Sequence, residues 1–246
     1  MPSPLSAVFL SMVTSMLAAN EVDLIWEEAI TDVKSYADRL LAEADGLFGS
    51  AASDWDVVGD YDHGLRVYSR PIKGSKLLLV RSVVEVEKSA KDLFSLLTSA
   101  EGSDIIDDST MHDPPVEILQ WDDRAEVGYS KTIQSKFPFP KRSFVKASFF
   151  DTANTQVATK SILYQALPPG GDGLTRAFNS FALRTVALGP DRCRLEIVDF
   201  FDMRGWFPTW IANKFHKDMF CQKLHKRLWQ HLGMESVPSS AAVTAA

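Results

Sequence analysis

The side chains with the most chemical reach in this 246-residue chain crowd near its end: His216, Cys221, His225 and His231. Cys221 and His225 stand four apart, which on a helix sets a thiolate and an imidazole on one face. Two ligands do not close a tetrahedral zinc site, so no metal is expected, and the histidines read as solvated on a basic face. The acid pairs Asp107/Asp108 and Asp122/Asp123 sit in turn-like segments, where acids serve turn geometry; nothing sets them across a cleft. The GGDG run at 170–173 follows Pro168 and Pro169. A phosphate cradle would need a helix directly after it, whereas a strand pattern follows, and a mobile loop is expected. No G-x-S-x-G elbow, Walker loop or H-E-x-x-H helix occurs. With no nucleophile, base and orienting group in view, the chain is expected to bind rather than catalyse, with no catalytic residue and no cofactor.

A net charge of −6 argues against a nucleic-acid partner. The charge is unevenly spread. Acids dominate residues 21–60, with only Lys34 and Arg39 against them, and the end of the chain reverses the sign. Two cysteines, Cys193 and Cys221, make no disulfide framework. Residues 1–20 are apolar and uncharged after the initiator. They are too short to span a bilayer and lack the cations of a signal or transit peptide. They read as an added helix or a disordered start, with targeting as the alternative. The tail 235–246 reads as disordered.

The elements that must position any site follow from periodicity. Leu24, Ile25, Ile30, Val33, Tyr36, Leu40 and Leu41 recur with a helical period, and Gly46 with the GSAAS stretch ends that helix. DWDVVGDYDHGLRVYSRP predicts two short strands. In KLLLVRSVVEVEK the apolar Leu78, Val80, Val84 and Val86 alternate with Arg81, Glu85 and Glu87. SAKDLFSLLTSA predicts a helix capped by Ser89. From Pro115, six strand-like runs (PVEILQW, AEVGYSKTIQS, SFVKASFF, QVATKSILYQAL, AFNSFALRTVAL, CRLEIVDFF) are parted by short turns, which is an antiparallel meander. A last amphipathic helix at about 207–232 carries Phe207, Ile211, Phe215, Leu224 and Leu228 on one stripe, with Met219 and Phe220 near it. Its lysines and Arg227 face a single acid, Asp218. The order makes an α+β domain in which a curved sheet is covered by the last helix.

Three segments then carry a resemblance. DMRGWFP, Asp202 to Pro208, resembles the D-x-K-G-W-(L/I)-P opening of the last helix in the START (StAR-related lipid-transfer) family, and TWIANKF continues it. DWDVVGDYDHGLRVYSRP is similar to the family's W…(D/H)-G-(V/L)-x-V-Y-x-R. FPFPKRSFVKASFF is similar to its P-x-P-x-x-R-D-(F/Y)-V strand opening, with Arg142, Phe144 and Val145 in register. The likeness covers residues 21–234. It implies the helix-grip fold, a curved antiparallel sheet wrapped around a long C-terminal helix, with an internal hydrophobic tunnel for one lipid.

On that implication the tunnel and lid are expected at Tyr129, Lys131, Ile133, Arg142, Phe149, Phe181, Ile211, Phe215 and Phe220. Burying about thirty methylenes at ~0.8 kcal/mol each is worth roughly 24 kcal/mol, so a mainly apolar wall is expected. Two departures bear on the ligand. The family's Arg-Asp is Arg142–Ser143 here. The acid and arginine of sterol-binding members align with Tyr129 and Ser148, so the sterol site has no counterpart. Lys131 lies where a phosphate could meet it. The FPFP run resembles the phosphatidylcholine-transfer branch, and a glycerophospholipid is favoured over a sterol. Phe137, Phe139, Trp206, Phe207, Trp210, Lys214 and Lys217 are expected to dock transiently on a membrane surface. The protein is expected to be a cytoplasmic monomer, peripheral to membranes, that transfers lipid. The alternatives are a helix-grip enzyme of the polyketide cyclase or aromatase type, with polar groups in its cavity, and a lipid-sensing module without transfer.

Overall fold

Alternation of apolar and polar residues through the second half of the chain leaves each strand with two usable faces, and the fold covers both. The computed structural model describes residues 27–99, 102, 105–106, 116–122, 124–132, 141–205, 208–218 and 223–233. Helix α1 spans Val33–Gly49, and strands β1 (Asp56–Asp60), β2 (Arg66–Pro71) and β3 (Leu78–Val86) follow. Helix α2 is Ala90–Leu97. The meander runs through β4 (Val116–Asp122), β5 (Ala125–Lys131), β6 (Arg142–Asp151), β7 (Gln156–Ser161), β8 (Thr175–Arg176), β9 (Phe178–Gly189) and β10 (Arg192–Asp202). Two helical segments close the described chain, α3 (Thr209–Asp218) and α4 (Leu224–His231).

The strands form one sheet in the order β1-β2-β3-β10-β9-β7-β6-β5-β4, antiparallel throughout except that β8 pairs in parallel with β6. Register shifts at Val57/Gly59, Glu117/Leu119 and Arg192/Cys193 mark bulges that sharpen its twist.

Capping decides where the helices begin. Asp32 accepts from the backbone N–H of Lys34 (3.1 Å) and Ser35 (3.4 Å), so α1 starts at Val33 although the apolar period reaches back to Leu24. The described residues before it are extended: Leu163 N–H donates to Glu28 O at 3.0 Å. The helix also runs through Gly46, because Leu47 and Phe48 beyond it are buried. Ser89 caps α2 by accepting from Asp92 N–H at 3.1 Å. Within the closing helix expected at 207–232, the described residues Thr209–Asp218 and Leu224–His231 are helical.

Two apolar clusters, one on each face, hold the layers together. Against one face, α1 packs Tyr36, Leu40, Ala44, Leu47 and Phe48 on Leu79, Val145, Ala147, Phe149, Ala182 and Val198. A buried acid ties this layer down: Glu196 meets Arg81 (3.1 Å), Arg184 (3.0 Å) and Arg194 (2.6 Å), and Arg81 also donates to Phe48 O. Against the other face, α2 packs Leu93, Phe94 and Leu97, and α4 packs Leu224, Leu228 and Trp229, on Val80, Val84, Leu183, Leu195 and Ile197. This second face is the concave one that the C-terminal helices grip.

Candidate functional site

Strand parity divides the candidate residues. Successive side chains alternate between faces, so the row Leu195, Ile197, Asp199, Phe201 of β10 faces the C-terminal helices. Register carries that face across to Leu183, Phe181 and Asn179 on β9, to Val157 and Thr159 on β7, and to Phe150, Ser148, Lys146 and Phe144 on β6. On β6 the face under α1 (Ser143, Val145, Ala147, Phe149) is fully buried, whereas Lys146, Ser148 and Phe150 on the concave face are half-buried. Phe181 and Phe201 are half-buried too.

This parity places three of the expected lining residues on the face under α1. Phe149 stacks on Trp121 (6.0 Å between centroids) and meets Tyr36 of α1 at 5.6 Å, so it belongs to the layer under α1. Tyr129 lies opposite Val145 and Lys131 opposite Ser143, on that same face. The Tyr129 hydroxyl donates to Asp172 at 2.8 Å, and Lys131 Nζ lies 5.3 Å from the Tyr129 ring. Burial, then this bond to Asp172, raises the Tyr129 pKa. The GGDG loop therefore lends an acid to the sheet. Burial pushes the Asp172 carboxyl up, but hydrogen bonds from Ser143, Leu174 N–H and Tyr129 outweigh it and hold it below the usual range. Tyr129 and Ser148, the positions aligned with the sterol-site ion pair, lie on opposite faces. A void of about 10 Å³ beneath α1, lined by Leu40, Leu47, Leu79, Ala158 and Val198 among others, has room for about one water and is no lipid site.

Phe181 does face the grip, and Ile211 is half-buried on α3. Arg142 is on the concave face but is not an open lining group. It is 2% exposed, and its guanidinium donates to Met203 O (2.6 Å), Arg204 O (3.0 Å) and Lys141 O (3.3 Å). These carbonyls need a donor because the chain there is turned out of regular structure. Arg204 has φ +51° and Gly205 φ +75°, and Asp202 accepts from Arg204 N–H at 2.8 Å. A glycine suits that left-handed step, and a Cβ on Gly205 would stand 3.5 Å from Arg142 Nη2. Arg204 itself bonds Glu27 at 3.0 Å. Arg142 thus fixes the turn from which the C-terminal helices depart.

The segment α3 is held by polar tethers. Asn213 accepts from Leu78 N–H (3.0 Å) and donates to Lys76 O (3.2 Å). His216 Nε2 lies 2.6 Å from Asp199 Oδ2, with both side chains buried, while Asn179 donates to Asp199 Oδ1 at 2.6 Å. A carboxylate only accepts, so the shared bond puts the proton on Nε2 of His216. Solvent-facing histidines were expected here, yet His216 and His225 are buried at 6% and 2% exposure; only His231 is exposed. Asp199 carried a signal in the sequence, as a lone acid inside the apolar run IVDFF, two residues from Ile197 and so on its face. Among the described residues, no group of three or more His, Cys, Asp or Glu could hold a metal ion.

On the outside of α3, Trp210 is 70% exposed and Lys214 is exposed, with Lys217 half-buried. Ile133, Phe137, Phe139, Trp206, Phe207 and Phe220 lie outside the described residues, as does the side chain of Phe215 and the segments 1–20 and 235–246. No described helix is long and apolar enough to cross a membrane.

No family model and no curated sequence matches the chain. Solved structures do. Human StAR-related lipid transfer protein 5 superposes with a TM-score of 0.64 at 17% identity, covering 81% of this chain and 99% of that one. Human STARD10 gives 0.63 at 17% identity, covering 85% and 91%. A STAR-related lipid transfer protein fragment from Xanthomonas axonopodis gives 0.58 at 19% identity, covering 73% and 99%. The curved sheet gripping its C-terminal helices is the helix-grip fold of the START domains.

Proposed function

We propose that residues 21–234 form a unit that binds a single lipid against the concave face, a glycerophospholipid in preference to a sterol, and transfers it between membranes. The observation that carries this reading is the row of half-buried aromatics Phe150, Phe181 and Phe201 on the concave face. Acyl chains would lie against that row, at ~0.8 kcal/mol for each methylene buried. The solved structures that share the fold include two named as lipid transfer proteins, and the positions aligned with the sterol pair do not face one another.

Docking falls to the outer side of α3. Trp210 prefers the interfacial zone, and each lysine near an anionic surface adds about 1 kcal/mol of attraction. A helix tethered through Asn213 and His216 can lift without unfolding the sheet. The protein acts as a monomer, in the cytoplasm and at membrane surfaces. The Asp199–His216–Asn179 cluster belongs to this tethering: both carboxylate oxygens are already bonded, and no reaction is assigned to it.

Fluorescent phosphatidylcholine in donor vesicles, mixed with anionic acceptor vesicles, tests the reading. Transfer should rise in proportion to protein. Clean protein that extracts neither phosphatidylcholine nor cholesterol from vesicles would overturn it.

A further inference from the structure

Two buried polar groups in the grip have no hydrogen-bond partner among the described residues. His225 is 2% exposed with both ring nitrogens unbonded, and Ser82 is fully buried with an unbonded hydroxyl. Buried polar groups are nearly always paired, and an orphan needs a reason. Both groups belong to one layer. Ser82 sits on the concave face between Val67 and Ile197. Those two residues share an apolar cluster with Leu224, Leu228 and Trp229, the residues flanking His225 on the inner side of α4; the rings of His225 and Trp229 are 6.4 Å apart. The half-buried aromatics Phe150 and Phe181 pack against this same cluster.

Their chemistry narrows the partner. A neutral imidazole offers one donor and one acceptor, and a hydroxyl offers the same. A phosphate or an ammonium would need a charge to face it, and burial holds the His225 ring neutral. We propose that His225 and Ser82 are the polar contacts for an uncharged oxygen of the bound lipid, an ester carbonyl or a hydroxyl. The inference rests on the lipid-binding reading above and adds to it the group that is recognised. It also accounts for a histidine placed where leucine would pack at no polar cost.

The test compares wild type, His225→Leu and His225→Gln, in binding to vesicles carrying fluorescent phosphatidylcholine, diacylglycerol or cholesterol. His225→Leu should melt higher than wild type, because the orphan is gone, yet bind about tenfold more weakly, or ~1.4 kcal/mol. His225→Gln, which keeps a donor and an acceptor, should recover much of the loss, and Ser82→Ala should weaken binding in the same sense. Losses with phosphatidylcholine and diacylglycerol alike identify the ester carbonyl; a loss confined to cholesterol identifies the hydroxyl. A more stable His225→Leu that binds all three as wild type does overturns the proposal, since the ring then met only water. Wild type that binds none of the three overturns both readings together.

Discussion

Replacing His216 by alanine should strand the acid that it covers. Asp199 is 4% exposed, and its carboxylate takes two side-chain hydrogen bonds, from His216 and Asn179, each 2.6 Å long. Removing one partner of a buried pair typically costs about 3–5 kcal/mol. Asn179 stays in place, which puts His216→Ala near the lower end, at about 3 kcal/mol. In a chain of this length each kcal/mol moves Tm by about 2–4 °C, so the midpoint should fall by about 6–12 °C. Asp199→Ala should also destabilise, because Asn179 and His216 then lose their acceptor. The double variant removes acid and imidazole together, and its cost should fall short of the sum by about 1–3 kcal/mol.

Urea denaturation of the four proteins, followed by circular dichroism, measures the cycle. Free energies that add within about 0.5 kcal/mol would refute the argument, because the two side chains would then be independent. The tether also has a functional readout. With the pair broken α3 is freer to lift, so the rate of phosphatidylcholine transfer by His216→Ala below its melting range should not fall. A proportionate loss of transfer would mean that the cluster shapes the cavity instead of latching the helix.

Arg142→Met should cost about 3 kcal/mol by leaving the Met203 and Arg204 carbonyls without charge-assisted donors, and trypsin should cut faster after Arg204. Arg142→Lys should rescue little, since an ammonium cannot span two carbonyls as a planar fork does. Trp210→Ala should leave stability within about 0.5 kcal/mol while weakening association with anionic vesicles. Lys214→Gln should weaken it about fivefold, one lysine's ~1 kcal/mol, with the difference shrinking in high salt. Burial depresses the His225 pKa from an ordinary 6.5 to about 3. The unfolded chain therefore takes up this proton first, and stability present above pH 6.5 is lost as the pH falls towards 3, by up to ~1.4 kcal/mol per pH unit. His225→Leu should flatten that part of the pH–stability curve, and an unchanged slope would show the ring to be open to protons when folded.

Much of this architecture was legible because strand alternation is a local signal. Val80, Val84 and Val86 against Arg81 and Glu85 fix a half-covered strand, and Ser89 marks its helix by a cap that acts over three residues. The cavity side of the sheet was not legible. Both faces are covered, so the face that carries Phe149 and Tyr129 is as apolar as the one that carries Phe150 and Phe181, and alternation cannot say which helix lies over which. The buried histidines escaped for a related reason: a helix rich in lysine reads as solvated at every polar position, although His216 and His225 point inward to an acid and to an apolar layer. What the motifs encoded was contact over long range. Arg142 from one recognised segment bonds the carbonyls of Met203 and Arg204 in another, and Asn213 in the continuation of that motif bonds the start of β3. These two segments, sixty residues apart, form one joint, the turn from which the C-terminal helices depart. A joint of this kind constrains the residues on both sides of it, while the wall it encloses need only stay apolar and of the right volume. That difference explains why the fold could be recognised from short motifs, and why the lining residues could not.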